Sequence, residues 1–371
     1  MSLKILTIVG TRPQFIKAAA ISRCIRKEFS HKIQESILHT GQHYDHNMSA
    51  LFFEELDIPS PTFQLQVSGL HNSLQTANML KGISEILSNN HFDMILVYGD
   101  TNSTLAGALA GAQHQIPVIH IEAGLRSYNK SMPEEVNRII TDHNSTFLFA
   151  PTNEALRNLN KEGLHYNESK KVSIDNPYIA LCGDIMYDNA LHYSKLCNRD
   201  VYKIKYPNPF ILATVHRNFN TDNPNRLQGI LHGLNAIAKE SNQEIVLPLH
   251  PRTQKVAQGY LSSLDSNIRI IEPVSFFEML YLEANSDLII TDSGGVQKEA
   301  YFFKKKCIIL RPESEWVEIV AHGSAILADA DTNRIIDAYL TLQANSFTEY
   351  PDFYGNGKAA ELILNCVLDN L

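Results

Sequence analysis

Cysteine is sparse in this chain, and the five that occur, Cys24, Cys182, Cys197, Cys307 and Cys366, are scattered with no close pair. That spacing argues against a disulfide framework or a zinc knuckle and leaves the thiols as small buried hydrophobes. Long apolar runs are missing as well. The opening MSLKILTIVGTRP has neither the apolar stretch nor the small-residue cleavage site of a secretory leader, so a cytoplasmic protein with no membrane span is expected. Positive charge is not in excess either, and a formal net charge of −8 argues against a general nucleic-acid surface. A dinucleotide fingerprint is lacking too, because GNGKAA at 355–360 follows PDFY rather than a strand. No nicotinamide, and no other cofactor, is therefore expected.

What the chain has is alternation. At 371 residues it has room for two ordinary domains. Short β-rich runs (Lys4 to Val9, Ile33 to Leu38, Met94 to Tyr98, Pro117 to Ile121, Thr146 to Ala150) alternate with helical stretches in the first half. A second series follows (Phe210 to Val215, Glu244 to Leu249, Ile268 to Ile271, Leu288 to Thr291, Cys307 to Leu310). Such alternation predicts parallel sheets covered by helices on both faces, so the fold class is α/β with two doubly wound, Rossmann-like domains and a cleft between them. The boundaries read as 1–188 and 189–354, with a last segment at 355–371 and the polar stretch Asn198 to Asn208 as the linker candidate.

In such folds the carboxyl ends of the strands face the ligand. Three acidic sites stand there or at a helix start: Asp100 after Met94 to Tyr98, Glu122 after Pro117 to Ile121, and the pair Glu134 and Glu135 after Pro133. Each alone reads equally well as a helix cap, with Asp100 or Thr101 suited to the helix that follows. Arg12 and Lys17, in GTRPQFIK, flank a helix N-terminus suited to a diphosphate. In the second half, Ser293, Gly294 and Gly295 open a helix whose free N–H groups suit phosphate, and Glu299 one turn on suits ribose hydroxyls. His216 with Arg217, and His250 with Arg252, stand at two further strand ends and are expected to contact a ligand. His39, His43, Asp45 and His46 lie close together, yet without a fixed metal-binding pattern they are read as loop or ligand contacts and no metal is expected.

GTRPQFIK, HTGQHYD, VYGDTNSTLAGALA, HIEAGLRS with MPEEVNR, PLHPRT and TDSGGVQKEA resemble, in this order and along nearly the whole chain, the non-hydrolysing UDP-N-acetylglucosamine 2-epimerases. The resemblance implies a glycosyltransferase-B arrangement, a homodimer, and a last helix, within 355–371, that packs on the first domain. It implies that Asp100, Glu122 and Glu134 are the catalytic carboxylates and that His216 supports the departing diphosphate. Arg12 and Lys17 would hold that diphosphate, Ser293, Gly294 and Gly295 phosphate, Glu299 the ribose and Phe276 the uracil. The activity implied is C2 epimerisation of a UDP-N-acetylhexosamine through elimination of UDP to a glycal and its re-addition. The product would be a mannosamine-type donor for surface polysaccharide. GTRPQFIKAA and LRPESEWVEIV resemble the branch acting on UDP-2,3-diacetamido-2,3-dideoxyglucuronate. The chain departs from many relatives in carrying Asn218 and Phe219 where an acidic residue follows the HR pair. The competing classes are a glycosyltransferase of the same fold, a hydrolysing epimerase and a UDP-sugar-binding regulator. An acid cluster beside a dianionic ligand argues against the last.

Overall fold

Two parallel sheets organise the chain. The computed structural model describes residues 2–42, 56–67, 69, 71–197, 199–206, 209–261 and 263–371. One compact unit comprises Met1–Asn189 with Asp352–Leu371, and a second comprises Ala190–Pro351. No helix among the described residues is long and apolar enough to cross a membrane.

The first unit runs β1 (Leu3–Val9), α1 (Arg12–Cys24), β2 (Ile33–His39), β3 (Phe63–Gln64), α2 (Asn72–Asn89), β4 (Met94–Tyr98) and α3 (Asn102–Gln113). It continues through β5 (Val118–Ile121), α4 (Pro133–His143), β6 (Phe147–Ala150), α5 (Asn153–Lys161), β7 (Tyr178–Leu181) and α6 (Ile185–Leu196), within which the unit boundary falls. The sheet order is β3-β2-β1-β4-β5-β6-β7. All five residues of β4 and all four of β5 are buried, as strands covered on both faces require. Pairings such as Ile95 with Val118 and Ile5 with Met94 set the register, and they bring the carboxyl ends of β1, β4 and β5 side by side. On one face Met79 and Ile83 of α2 and Ala106, Ala108 and Ala110 of α3 pack with Leu6, Ile8, Ile95 and Val97 into one core.

The second unit contains α7 (Arg199–Lys205), β8 (Phe210–Thr214), α8 (Asn218–Thr221), α9 (Pro224–Ser241), β9 (Glu244–Pro248), α10 (Pro251–Leu261), β10 (Ile268–Ile271) and α11 (Phe276–Asn285). Then come β11 (Leu288–Thr291), α12 (Gly294–Phe302), β12 (Lys306–Ile309), α13 (Val317–His322), β13 (Ala325–Leu327) and α14 (Thr332–Ala344). Its order, β10-β9-β8-β11-β12-β13, repeats the scheme of the first sheet. The stretch read as a linker holds α7, part of the second unit. Its lysines and Asp200 mark a solvated helix face rather than an unstructured connection.

The last helix, α15 (Ala359–Asp369), belongs to the first unit. Ile363, Leu364 and Val367 are fully buried there, each contributing about 1.5–3 kcal/mol by removal from water. Asp188 accepts hydrogen bonds from the N–H groups of Ala359 and Ala360 at 3.0 and 2.8 Å, satisfying the open end of that helix. Burial pushes the Asp188 carboxyl up to about 6, against the pull of those two N–H groups.

Candidate active site

At the end of β4 the chain turns through Gly99, whose φ of +62° is a left-handed conformation that glycine adopts without strain. Thr101, not Asp100, caps α3: its hydroxyl accepts from the Thr104 N–H at 3.3 Å, and Thr104 Oγ1 accepts in return from the Thr101 N–H at 3.2 Å. Asp100 is thereby left with its carboxylate on the surface of the turn. Arg138 of α4 donates to its Oδ2 at 2.5 Å. Burial pushes the Asp100 carboxyl up, Arg138 and Lys17 pull it down, and the charge of Glu122 adds to the rise.

Glu122 follows β5 with φ +71°, a left-handed conformation that costs a non-glycine residue on the order of 1–3 kcal/mol. It is held there by the sheet, since the N–H groups of Glu122 and Ala123 both donate to Phe149 O at 3.1 Å. Its carboxylate pairs with the ammonium of Lys17, which α1 sends across from β1. A Cβ at position 99 would stand 3.2 Å from Lys17 Nζ and 3.6 Å from Glu122 Oε2, so the turn, the lysine and the acid form one cluster. Gln14, buried beneath, donates to Tyr98 O at 3.0 Å and accepts from the Gly10 N–H at 2.8 Å, tying the turns after β1 and β4 together. Arg12 is exposed at the start of α1.

The acidic pair on α4 splits in two. Glu135 is buried and accepts from the N–H groups of Ser127 and Tyr128 at 2.9 and 2.8 Å and from Arg138 at 2.6 Å. Burial would raise its carboxyl, but those donors hold it below the usual range. Glu134 faces solvent. Glu135 is thus scaffold, and Glu134 is the member open to a ligand. Arg138, bridging Asp100 and Glu135, escapes sequence reasoning although its position four residues after Glu134 on one helix face was available.

In the second unit the corresponding strand ends carry donors. Asp292, after β11, is completely buried and accepts from the N–H groups of His216 and Arg217 at 3.1 and 3.0 Å and from Asn220 Nδ2 at 3.0 Å. His216 Nδ1 lies 3.2 Å from the same carboxylate, with its side chain half exposed. Burial pushes the His216 imidazole down, Asp292 opposes that and Arg217 adds to it. Ser293 caps α12, and around the first turn of that helix a Cβ on Gly294 would meet Arg311 Nη1 at 3.6 Å and Arg217 Nη2 at 3.8 Å. A Cβ on Gly295 would meet Glu299 Oε2 at 3.8 Å and Ser293 Oγ at 3.9 Å. Without side chains at 294 and 295, the helix N-terminus is open beside two guanidinium groups, with the Glu315 carboxylate 3.7 Å from the same Cβ position and bonded to Arg311 at 2.8 and 2.9 Å, so Arg217 and the helix N–H groups are what favour an anion there. Arg311 lies within LRPESEWVEIV. Its role depends on β12 ending beside α12, which spacing along the chain does not reveal. Trp316 Nε1 donates to Gly294 O at 2.8 Å and fixes the first turn of α12 from behind.

Glu299 has a buried neighbour, Glu283 of α11. Burial, then the charge of Glu299, pushes the Glu283 carboxyl well above its ordinary range. Phe276, at the start of α11, stacks edge-on with Tyr193 at 5.5 Å. His250 is exposed, its Nδ1 accepting from the Arg252 N–H at 3.2 Å. Phe219 lies under the Arg226 guanidinium at 5.2 Å, so this aromatic ties α8 to α9. His39 is buried with Nδ1 accepting from the Gly41 N–H at 2.9 Å, while His43, Asp45 and His46 lie outside the described residues. Among the described residues no three histidine, cysteine or acidic side chains gather as metal ligands.

Comparison with known proteins places this chain in a family. The family described as UDP-N-acetylglucosamine 2-epimerase matches residues 27–368. A "UDP-N-acetylglucosamine 2-epimerase homolog" of Methanococcus maripaludis is 45% identical, with all of both chains aligned. The UDP-2,3-diacetamido-2,3-dideoxy-D-glucuronate 2-epimerase of Pseudomonas aeruginosa is 44% identical over 97% of this chain and 98% of its own. The crystal structure of Methanocaldococcus jannaschii UDP-GlcNAc 2-epimerase in complex with UDP-GlcNAc and UDP superposes with a TM-score of 0.82 at 38% identity, covering 99% of this chain and 100% of that one. The chain belongs to the UDP-N-acetylglucosamine 2-epimerase family of isomerases.

Proposed function

We propose that this protein inverts C2 of a UDP-linked N-acetylhexosamine without hydrolysing it, the first unit supplying acid–base groups and the second the UDP contacts. The observation that carries the reading is the cluster at neighbouring strand ends, where Glu122 pairs with Lys17 and Asp100 with Arg138. Two carboxylates in different surroundings can differ in protonation at one pH, which a reaction that removes a proton from one face and returns it to the other needs. The C2 hydrogen of a resting pyranose is not acidic. Cleavage of C1–O first sends the electron pair to the β-phosphate oxygen, and the cationic centre left at C1 acidifies C2–H. A carboxylate takes that proton and the C1–C2 double bond of a glycal forms; a proton returned to C2 from the opposite face, with UDP re-adding to C1 on the face it left, gives the epimer.

In this scheme Asp100, Glu122 and Glu134 share the acid and base roles at the two faces of the sugar. Arg12, His216, Ser293 and the N–H groups at Gly294 and Gly295 stabilise the departing diphosphate, each charge-assisted bond contributing about 1.5–3 kcal/mol. Glu299 binds the ribose, Phe276 the uracil, and His250 lies at the ligand's edge. Lys17 reaches the diphosphate from beside Glu122. The active form is a homodimer working in the cytoplasm. The 44% identity to the Pseudomonas enzyme favours a second substrate reading, the 2,3-diacetamido uronate.

Incubation with UDP-N-acetylglucosamine or with UDP-2,3-diacetamido-2,3-dideoxyglucuronate in D2O, without an acceptor, tests both. Deuterium at C2 and a mixture of two UDP-linked epimers are expected from one of them. Unchanged sugar in both sinks the proposal, and UDP with free sugar points to the hydrolysing reaction instead.

A further inference from the structure

Beneath the acidic turns of the first unit lies a set of buried charges that the reaction as proposed does not touch. His120, in the middle of β5, is completely buried. Its Nε2 lies 2.8 Å from the carbonyl oxygen of Gly99, and its Nδ1 lies 2.7 Å from Asp142 Oδ1 on the last turn of α4. A carbonyl only accepts, so Nε2 carries a proton. Asp142 Oδ2 already accepts from the Gly124 N–H at 3.1 Å and meets Arg126 Nη1 at 2.7 Å. Those donors, with His120 itself, hold the Asp142 carboxyl below the usual range although burial works the other way. Nδ1 and Asp142 Oδ1 share a hydrogen bond as well, so both ring nitrogens are held, one by the turn after β4 and one by α4. Arg126 is closed off in turn by Glu162, at 2.7 Å from Nε and 2.6 Å from Nη2, and His143 Nε2 stands 3.4 Å from that carboxylate.

The geometry of these bonds matters more than their number. Gly99 is the residue before Asp100, and Gly124 lies two residues after Glu122. Through one imidazole and one carboxylate, the turn after β4 and the turn after β5 are fixed to each other, each at a left-handed residue. Stability alone does not call for this, since apolar residues of similar volume usually serve a buried position as well as an ion pair does. We propose that the buried His120–Asp142 pair positions the Asp100 and Glu122 turns against one another, so that the two carboxylates are held at the spacing the C2 proton transfer needs. The inference rests on the reading of Asp100 and Glu122 as catalytic carboxylates; His120 and Asp142 act through them and are positioning residues.

Two measurements test it. In native protein labelled with [15N]histidine, the ring N–H of His120 is expected to exchange with solvent far more slowly than that of a solvated imidazole, being held in buried hydrogen bonds. Exchange as fast as a solvated imidazole's overturns the proposal without any variant having to fold. In turnover assays His120→Gln and Asp142→Asn are expected to lower C2–deuterium exchange by about a hundredfold, the scale of a small misplacement, while UDP affinity stays within about threefold. Glu162→Gln, which leaves the His120–Asp142 pair in place, is expected to keep nearly full exchange. Exchange within about threefold of native in Asp142→Asn, or UDP affinity falling in step with exchange, overturns the proposal in favour of a purely structural pair. Failure of the function reading is distinguishable, because native protein would then exchange no C2 hydrogen at all while the ring-proton measurement kept its meaning.

Discussion

Asp100 and Asp292 occupy equivalent places, each just after the strand that neighbours the first strand of its sheet, and they are used in opposite ways. Asp292 is turned inward, fully buried, and shared among two backbone N–H groups, an asparagine amide and the edge of His216. Asp100 keeps 30% of its side chain exposed and bonds a single arginine, because Thr101 relieves it of capping α3. One topology therefore serves two chemistries. In the first unit the strand ends present carboxylates paired with the partly buried cations Lys17 and Arg138. In the second a buried carboxylate holds the backbone that carries His216 and Arg217. What differs is whether the loop's own carboxylate is exposed or hidden.

The largest expected effect breaks the comparison on its exposed side. Glu122→Gln and Asp100→Asn should each lower C2–deuterium exchange by about a thousandfold or more, within the range of lost acid–base catalysis, with UDP affinity and unfolding temperature nearly native. Retained exchange in either would mean that the exposed acids do not do the chemistry. Asp292→Asn should show the reverse pattern. Removing a buried anion from its donors is expected to cost about 3–5 kcal/mol in denaturant unfolding and to weaken UDP binding, while exchange at saturating substrate suffers least. A variant of native stability would show that the buried aspartate is not the prop it appears from its bonds.

A smaller effect separates the units by pH. The Asp188 carboxyl is raised from 3.8 to about 6, so between those values the folded protein binds more protons than the unfolded chain. The stability this group contributes is present below that window and is lost as pH rises through about 6, a cost on the order of 3 kcal/mol. Asp188→Asn should flatten that slope. Hydrogen exchange should locate the change in β6 and β7 rather than in β8 to β13, and a uniform change would contradict the division.

Much of this was legible in the residues. Strands buried on both faces announce themselves as unbroken apolar runs, and Met94–Tyr98 and Leu288–Thr291 stand where the sequence puts them. Two edge strands did not: β3 is two residues long and β13 three, too short for any periodicity to register. The candidate acids were legible from their strand-end positions. Their partners were not, since Arg138 and Arg311 reach the site through folding of α4 and β12. The roles within the Glu134–Glu135 pair depend on which side of one helix faces Ser127 and Tyr128.

The placement of α15 has a consequence for synthesis. Residues 190–351 leave the ribosome before Ala359–Asp369, yet that helix supplies Ile363, Leu364 and Val367 to the unit begun at the amino end. The part of the chain translated first must therefore wait, with the groove for its last helix uncovered, while the part translated second has everything it needs to fold. Nascent-chain order is inverted, and the interval before α15 emerges is when the first unit is most exposed to aggregation.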